Sequence, residues 1–160
     1  MNIEIRQVDY NNPKDAEALI AMLDAYARDP MGGAEPLSEY TRRHLASSLA
    51  QRADAFSVLA FADGEPAGMV NCFEGFSTFK CKPLVNIHDF AVAPAYRGKG
   101  IAQKMMVYVE ELARQRGCCK VTLEVLEGNR AAQQLYAKLG YTGYQLVQEM
   151  GDALFWQKLL

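Results

Sequence analysis

Histidine is scarce in this sequence, present only as His44 and His88, which stand far apart. Cysteine occurs four times, at Cys72, Cys81, Cys118 and Cys119, and no two form a CxxC pair. A zinc site draws several such ligands together at short spacing, so no metal centre is expected. Adjacent cysteines cannot readily bridge each other, and buried reduced thiols are the expected state. There is no excess of positive charge: 17 Lys and Arg face 19 Asp and Glu, a formal net charge of -2. A generic grip on nucleic acid needs a basic surface, so nucleic acid is not an expected partner. A local basic pocket for a small anion remains compatible with that balance. No uninterrupted apolar run is long enough to span a bilayer. The start, Met1 to Arg6, alternates polar and apolar residues and lacks the apolar stretch of a signal peptide. The expectation is a cytoplasmic protein with no membrane partner.

The chain has 160 residues, half of them apolar. That is enough to bury a sizeable core, and one domain over residues 1–160 is expected. Ile3, Ile5 and Val8 predict a first strand. From Pro13 to about Arg28, Ala16, Leu19, Ile20 and Leu23 recur at helical spacing. Ser38 is placed to cap a second helix carrying Leu45 and Leu49. From Ala55 the pattern turns to strands: Phe56–Phe61, then an Asp63-Gly64 turn, then Ala67 to about Gly75. Leu84 to Ala93 reads as a long strand ended by Pro94. A helix from Gly100 to about Arg116 carries Ile101, Met105, Val109 and Leu112 as its apolar stripe. A strand over Lys120–Leu126 and a helix from Asn129 to Gly140 follow. Two terminal strands are predicted, Tyr141–Glu149 and Ala153–Leu159. This order predicts a mixed α/β sheet with helices on its faces rather than a repeated βαβ array.

The run Asp89 to Ala102 carries the most chemistry. It is a strand, a short loop with Gly98 and Gly100, and a helix start. The first N–H groups of a helix lack intrahelical partners and sit at the positive end of its dipole, which favours phosphate. Arg97 and Lys99 add positive charge, and arginine can fork onto phosphate oxygens. The P-loop pattern fails, because Ile101-Ala102 follows Gly100 where Lys-Ser or Lys-Thr is needed. The dinucleotide fingerprint fails too, since it needs three glycines.

Arg97-x-x-Gly100-x-Ala102 resembles the Q/R-x-x-G-x-G/A signature of the GNAT acetyltransferases. The flanking Phe90-x-Val92-x-Pro94-x-Tyr96-Arg97-Gly98-Lys99-Gly100-Ile101 is similar to the same family. So is a second landmark, Asn129-x-x-Ala132-x-x-Leu135-Tyr136-x-Lys138-x-Gly140-Tyr141. The resemblance spans roughly Leu84 to Tyr141. It implies a central, mostly antiparallel sheet of about six or seven strands with about four helices. It further implies acetyl-CoA as co-substrate, held through its pyrophosphate by Arg97, Gly98, Lys99, Gly100, Ile101 and Ala102. The pantetheine arm would pair with the backbone of Phe90 and Val92 like an added strand. Asn129 and Tyr136 lie about two helical turns apart and so share a face. The resemblance makes Asn129 a contact to a cofactor amide, and Tyr136 the acid that protonates the leaving thiolate. A helix cap at Asn129 and a core aromatic at Tyr136 are the alternative readings.

Transfer to an amine by direct attack on the thioester requires a neutral nitrogen, hence a base. His88 takes the position where diamine acetyltransferases carry a glutamate, and histidine titrates near neutrality. An ordinary hydrogen-bonded strand histidine is the equal alternative. Asn86 stands where the histone-acetylating branch has its glutamate base, and asparagine cannot serve. Phe73 to Lys80, with Phe155-Trp156, is similar to the diamine branch. Aromatic faces and a carboxylate suit a cationic amine, which makes Glu74, Phe76 and Asp89 candidate acceptor-binding residues. The expected acceptor is a small primary amine such as an amino acid or polyamine. A peptide or protein amine is the runner-up, and a non-catalytic acetyl-CoA-binding module is the third reading. A homodimer is implied by resemblance alone.

Overall fold

Apolar alternation and helical spacing build most of the fold where the sequence places it. The computed structural model describes residues Met1–Leu160, and their contacts divide into two units, Met1–Leu126 and Glu127–Leu160. In the first unit, β1 is Ile3–Gln7, α1 Pro13–Arg28, α2 Glu39–Ala50, β2 Ala55–Ala62, β3 Glu65–Ser77, β4 Lys82–Val92, α3 Ile101–Gln115 and β5 Val121–Leu123. Helices α1 and α2 begin on side chains suited to the task. Asn12 accepts from the Lys14 amide at 3.0 Å, and Ser38 accepts from the Thr41 amide at 3.1 Å. No helix is long and apolar enough to cross a membrane.

The sheet runs in the order β1-β2-β3-β4-β5. The first four strands pair antiparallel, and β5 joins β4 in parallel. Successive strand residues point to opposite faces. On one face, Leu59 and Met69 pack with Leu19, Met22 and Leu23 of α1 and Leu49 of α2. The other face carries α3, whose Met105 lies against Gly68. Ile101, Met105, Met106, Val109 and Ala113 form the buried stripe of α3; Leu112, expected there, is only partly covered. Full burial of each large apolar side chain stabilises by about 1.5–3 kcal/mol.

A partly buried ion pair ties β1 to α1. Both Arg6 terminal nitrogens donate to the Asp15 carboxylate at 2.6 Å, and the Asp9 amide donates to it at 3.0 Å. Arg6 above all, with Asp9 assisting and burial opposing, holds the Asp15 carboxyl below its ordinary range. A depressed folded pKa gives stability that is present above the ordinary carboxylate range and lost as pH falls through the folded value. Asp15→Asn is therefore expected to cost about 2 kcal/mol at neutral pH, a figure held down by the partial exposure of Arg6. Urea unfolding at several pH values should show the gap between variant and wild type closing below about pH 4.

The second unit holds α4, Arg130–Lys138, and a single turn of 3-10 helix at Gln148–Met150. The sheet thus has five strands, not six or seven, and the two terminal strands are absent. A strand persists when its amides find a ladder and its apolar face finds cover. Here Leu146, Val147, Leu154, Phe155 and Trp156 are all exposed. One backbone bond, from the Ala153 amide to the Tyr144 carbonyl at 3.1 Å, closes the segment in place of a ladder.

Candidate active site

The functional geometry of the first unit originates in one irregularity of β4. Asn71 of β3 faces Asp89, but the next β3 residue, Cys72, faces Ile87. His88 is the extra residue of a β-bulge. A one-residue slip would normally flip every following side chain to the other face. The bulge absorbs the slip: Val85 and Ile87 before it, and Phe90 and Val92 after it, keep to the α3 face. His88 and Asp89 both face α1 and α2. They line a cavity of about 350 Å³, a volume suited to a small molecule.

The cavity has a polar end and an apolar body. His88, Asp89 and Asn71 form the polar end, while Leu23, Leu37, Leu45 and Leu49 contribute to the apolar wall. His88 stands edge-on to Phe73, ring centres 5.6 Å apart. Asp89 Oδ2 accepts from Asn71 Nδ2 at 3.0 Å. Tyr26 also lines the cavity. Burial raises its phenol pKa first, and the negative charges of Asp89 and Asp29 raise it further.

Glu74 and Phe76 are not brought into this cavity. Asn71 and Phe73 use one face of β3, so Glu74 falls on the other. Its charge falls instead on Cys118, whose thiol is pushed up first by burial and then by Glu74. Phe76 is 59% exposed near the end of its hairpin. Asn86 donates to Thr122 Oγ1 at 2.9 Å across the β4–β5 pair.

The signature loop follows β4. Pro94–Tyr96 is a 3-10 turn, and Gly98 and Gly100 take φ of +74° and +78°. Those left-handed conformations suit glycine. Gly100 immediately precedes α3, which starts without a side-chain cap. A Cβ built at either glycine meets nothing within 4 Å. The loop thus has open space beside a helix start, as an approaching pyrophosphate requires, and Ile101 and Ala102 supply the first helical amides. Arg97 folds back: its Nε donates to the Val92 carbonyl at 3.0 Å, and its Nη2 lies 3.8 Å from Asp29. Lys99 Nζ lies 5.5 Å from the centre of the Tyr96 ring. The β4–β5 ladder covers only Val85–Ile87 and Val121–Leu123, so the strands no longer pair at the level of Phe90 and Val92.

In the second unit, Asn129 caps α4, its Oδ1 accepting from the Ala132 amide at 3.2 Å. Tyr136 is buried, and its ring centre lies 6.1 Å from that of Tyr141. The helix ends in a Schellman motif: the Tyr141 amide donates to the Tyr136 carbonyl at 2.9 Å, and the Gly140 amide to Ala137 at 3.1 Å. Gly140 takes the left-handed φ of +91° that this motif requires. The spacing Tyr136-x-Lys138-x-Gly140-Tyr141 is therefore a device that fixes the backbone of Tyr136.

Asn71, at the polar end of the cavity, escaped sequence reasoning, and so did Ser57, its partner across β2 and β3. Asn71 interrupts the apolar run Met69-Val70-Asn71-Cys72, and Ser57 interrupts Phe56–Phe61. A polar residue inside a core strand was the available signal.

A model described as the acetyltransferase (GNAT) family matches residues 19–141. The chain is 34% identical over 127 residues to bovine thialysine N-epsilon-acetyltransferase, covering 69% of each protein. Its fold is shared with an aminoglycoside acetyltransferase from an uncultured soil metagenomic sample, at TM-score 0.75, 24% identity and coverage of 100% and 99% of the two chains. It is shared also with an aminoglycoside N-acetyltransferase in complex with CoA, at TM-score 0.73, 19% identity and coverage of 98% and 95%. This chain belongs to the GNAT acetyltransferase family and is an N-acetyltransferase.

Proposed function

We propose that this enzyme transfers the acetyl group of acetyl-CoA to a small primary amine with an aliphatic arm. The observation that carries the reading is the cavity beside the β4 bulge, with Asp89 and His88 at its polar end and a leucine-rich body. A carboxylate draws in an ammonium group, and the apolar wall favours a methylene chain over a polyhydroxylated acceptor. The thialysine-acetylating relative supports a small amine acceptor. One working domain over the whole chain is part of the proposal, supported by a family match that runs across both units.

When bound, acetyl-CoA supplies an activated acetyl thioester. The loop from Arg97 to Ala102 holds the pyrophosphate by backbone amides and by the charges of Arg97 and Lys99. Phe90 and Val92 offer backbone pairing to the pantetheine arm, and Asn129 binds a cofactor amide. Asp89 binds and orients the cationic amine. It also favours the protonated form, which cannot attack, so a base must take a proton before the nitrogen becomes a nucleophile. His88, adjacent on the bulge, is that base. The nitrogen bonds to the acetyl carbon, the C–S bond breaks, Tyr136 gives a proton to the departing sulfur, and the proton shed by the new amide nitrogen restores the Tyr136 hydroxyl.

Turnover of acetyl-CoA with thialysine, spermidine, an aminoglycoside and a peptide with a free N-terminus tests the reading. Thialysine or spermidine should be preferred. Asp89→Asn should raise KM for the preferred amine by about tenfold or more and leave KM for acetyl-CoA unchanged. An unchanged amine KM in that variant, or preference for the peptide, would overturn this acceptor assignment.

A further inference from the structure

Three polar side chains face one another across three neighbouring strands in an otherwise apolar part of the sheet. Ser57 of β2 pairs with Asn71 of β3, and Asn71 pairs with Asp89 of β4. Ser57 and Asn71 are 1% and 4% exposed. Tyr10, following β1, reaches Ser57 with 2.7 Å between the hydroxyl oxygens.

The direction of every bond in this row is fixed by counting protons. Asp89, as a carboxylate, only accepts, so Asn71 must turn its amide nitrogen toward it, at 3.0 Å. That leaves Asn71 Oδ1 facing Ser57, whose hydroxyl donates to it at 2.6 Å. Ser57 has one proton and has used it, so the Tyr10 hydroxyl donates to Ser57. The row is a one-way relay of donors, Tyr10 to Ser57 to Asn71 to Asp89, and it ends on the carboxylate that lines the cavity. Successive bonds aligned this way polarise one another. Burying a serine and an asparagine where valine would fit has a desolvation cost, and full pairing only offsets it. No buried side-chain polar atom lacks a partner. The row is complete, and its one outlet is Asp89.

We propose that Asn71 is a positioning residue for the acceptor amine, backed by Ser57 and Tyr10. It holds one oxygen and the plane of the Asp89 carboxylate so that this group meets the incoming ammonium in one orientation. This inference rests on the reading of Asp89 as the acceptor-binding carboxylate. It adds that the capture of amine is set along the row, from Asn71 at the cavity's polar end back to Ser57 and Tyr10, which do not line the cavity.

The test is a kinetic double-mutant cycle with thialysine, or whichever amine of the panel is turned over fastest. Asn71→Leu keeps approximate size and removes the donor. It should raise amine KM about tenfold, with KM for acetyl-CoA unchanged. Ser57→Ala should shift amine KM in the same direction by a smaller factor, since the Asn71 donor remains but loses its support. In an Asp89→Asn background, Asn71→Leu should have no further effect on amine KM, because the residue acts through Asp89. If Asn71→Leu does not fold, Ser57→Ala and Tyr10→Phe, each also made on Asp89→Asn, carry the same cycle. Equal multiplicative losses with and without Asp89 would overturn the relay, as would lowered thermal stability with unchanged amine KM. An Asp89→Asn enzyme with normal amine KM, or no turnover of any panel amine by the wild type, would overturn the underlying acceptor reading and the relay with it.

Discussion

Tyr136→Phe is expected to lower the single-turnover rate of acetyl transfer by about 10²–10⁴-fold, with little change in acetyl-CoA affinity or thermal stability. The substitution keeps the ring, and with it the approach of Tyr136 to Tyr141 at 6.1 Å. It leaves untouched the Schellman bonds that hold the Tyr136 backbone, since they involve its carbonyl. What is removed is one hydroxyl. A thiolate leaves more readily when a positioned acid protonates it, so the loss should appear in the chemical step, the pattern of an interaction made only in the transition state. A purely structural tyrosine gives the reverse: lower stability from a lost hydrogen bond, and near-normal chemistry. Steady-state kcat alone can hide the effect if product release is slow, so rapid-quench measurement of one turnover is the deciding experiment. An unchanged single-turnover rate would remove Tyr136 from the mechanism.

The elements set by local pattern were legible in the sequence. Pro13–Arg28 is helical to the residue, Ser38 caps α2, and the signature loop leads from β4 into α3. Each depends on neighbours along the chain: helical spacing, a capping side chain, glycine at positive φ. What was not legible depends on partners far along the chain. The composition around Phe73 suggested Glu74 as the acceptor's carboxylate, because a carboxylate among aromatics suits a cation. Only the register of β3 against β4 shows that Glu74 and Asp89 use opposite faces. The bulge at His88 has no local signature, yet it turns two consecutive side chains into one cavity. The terminal strands failed for a related reason. The apolar residues between Tyr141 and Leu159 make a strand only where a neighbouring edge accepts it, and this segment leaves them exposed. Asn71 and Ser57 were visible as polar interruptions, but their meaning comes from lying opposite each other and Asp89.

The signature loop yields the last expectation: Gly100→Val should weaken acetyl-CoA binding by about 10–100-fold. The cause is the backbone rather than a clash within the protein. An added Cβ meets nothing within 4 Å, but Gly100 sits at φ +78°. A left-handed conformation costs an L-residue about 1–2 kcal/mol, and a β-branched side chain tolerates it worst. The loop should escape the strain by rotating toward negative φ, which turns the Ile101 and Ala102 amides away from the open space proposed for the pyrophosphate. The new methyl groups would also occupy the open space at the helix start. Because α3 is anchored by Met105, Met106 and Val109 in the core, the fold should survive with a melting temperature lowered by only a few degrees. Acetyl-pantetheine, which lacks the pyrophosphate, separates the two effects. By calorimetry the wild type should bind it far more weakly than acetyl-CoA, whereas Gly100→Val should bind the two almost equally. Full-strength acetyl-CoA binding by the valine variant would show that Arg97–Ala102 is a chain reversal and not the anion site.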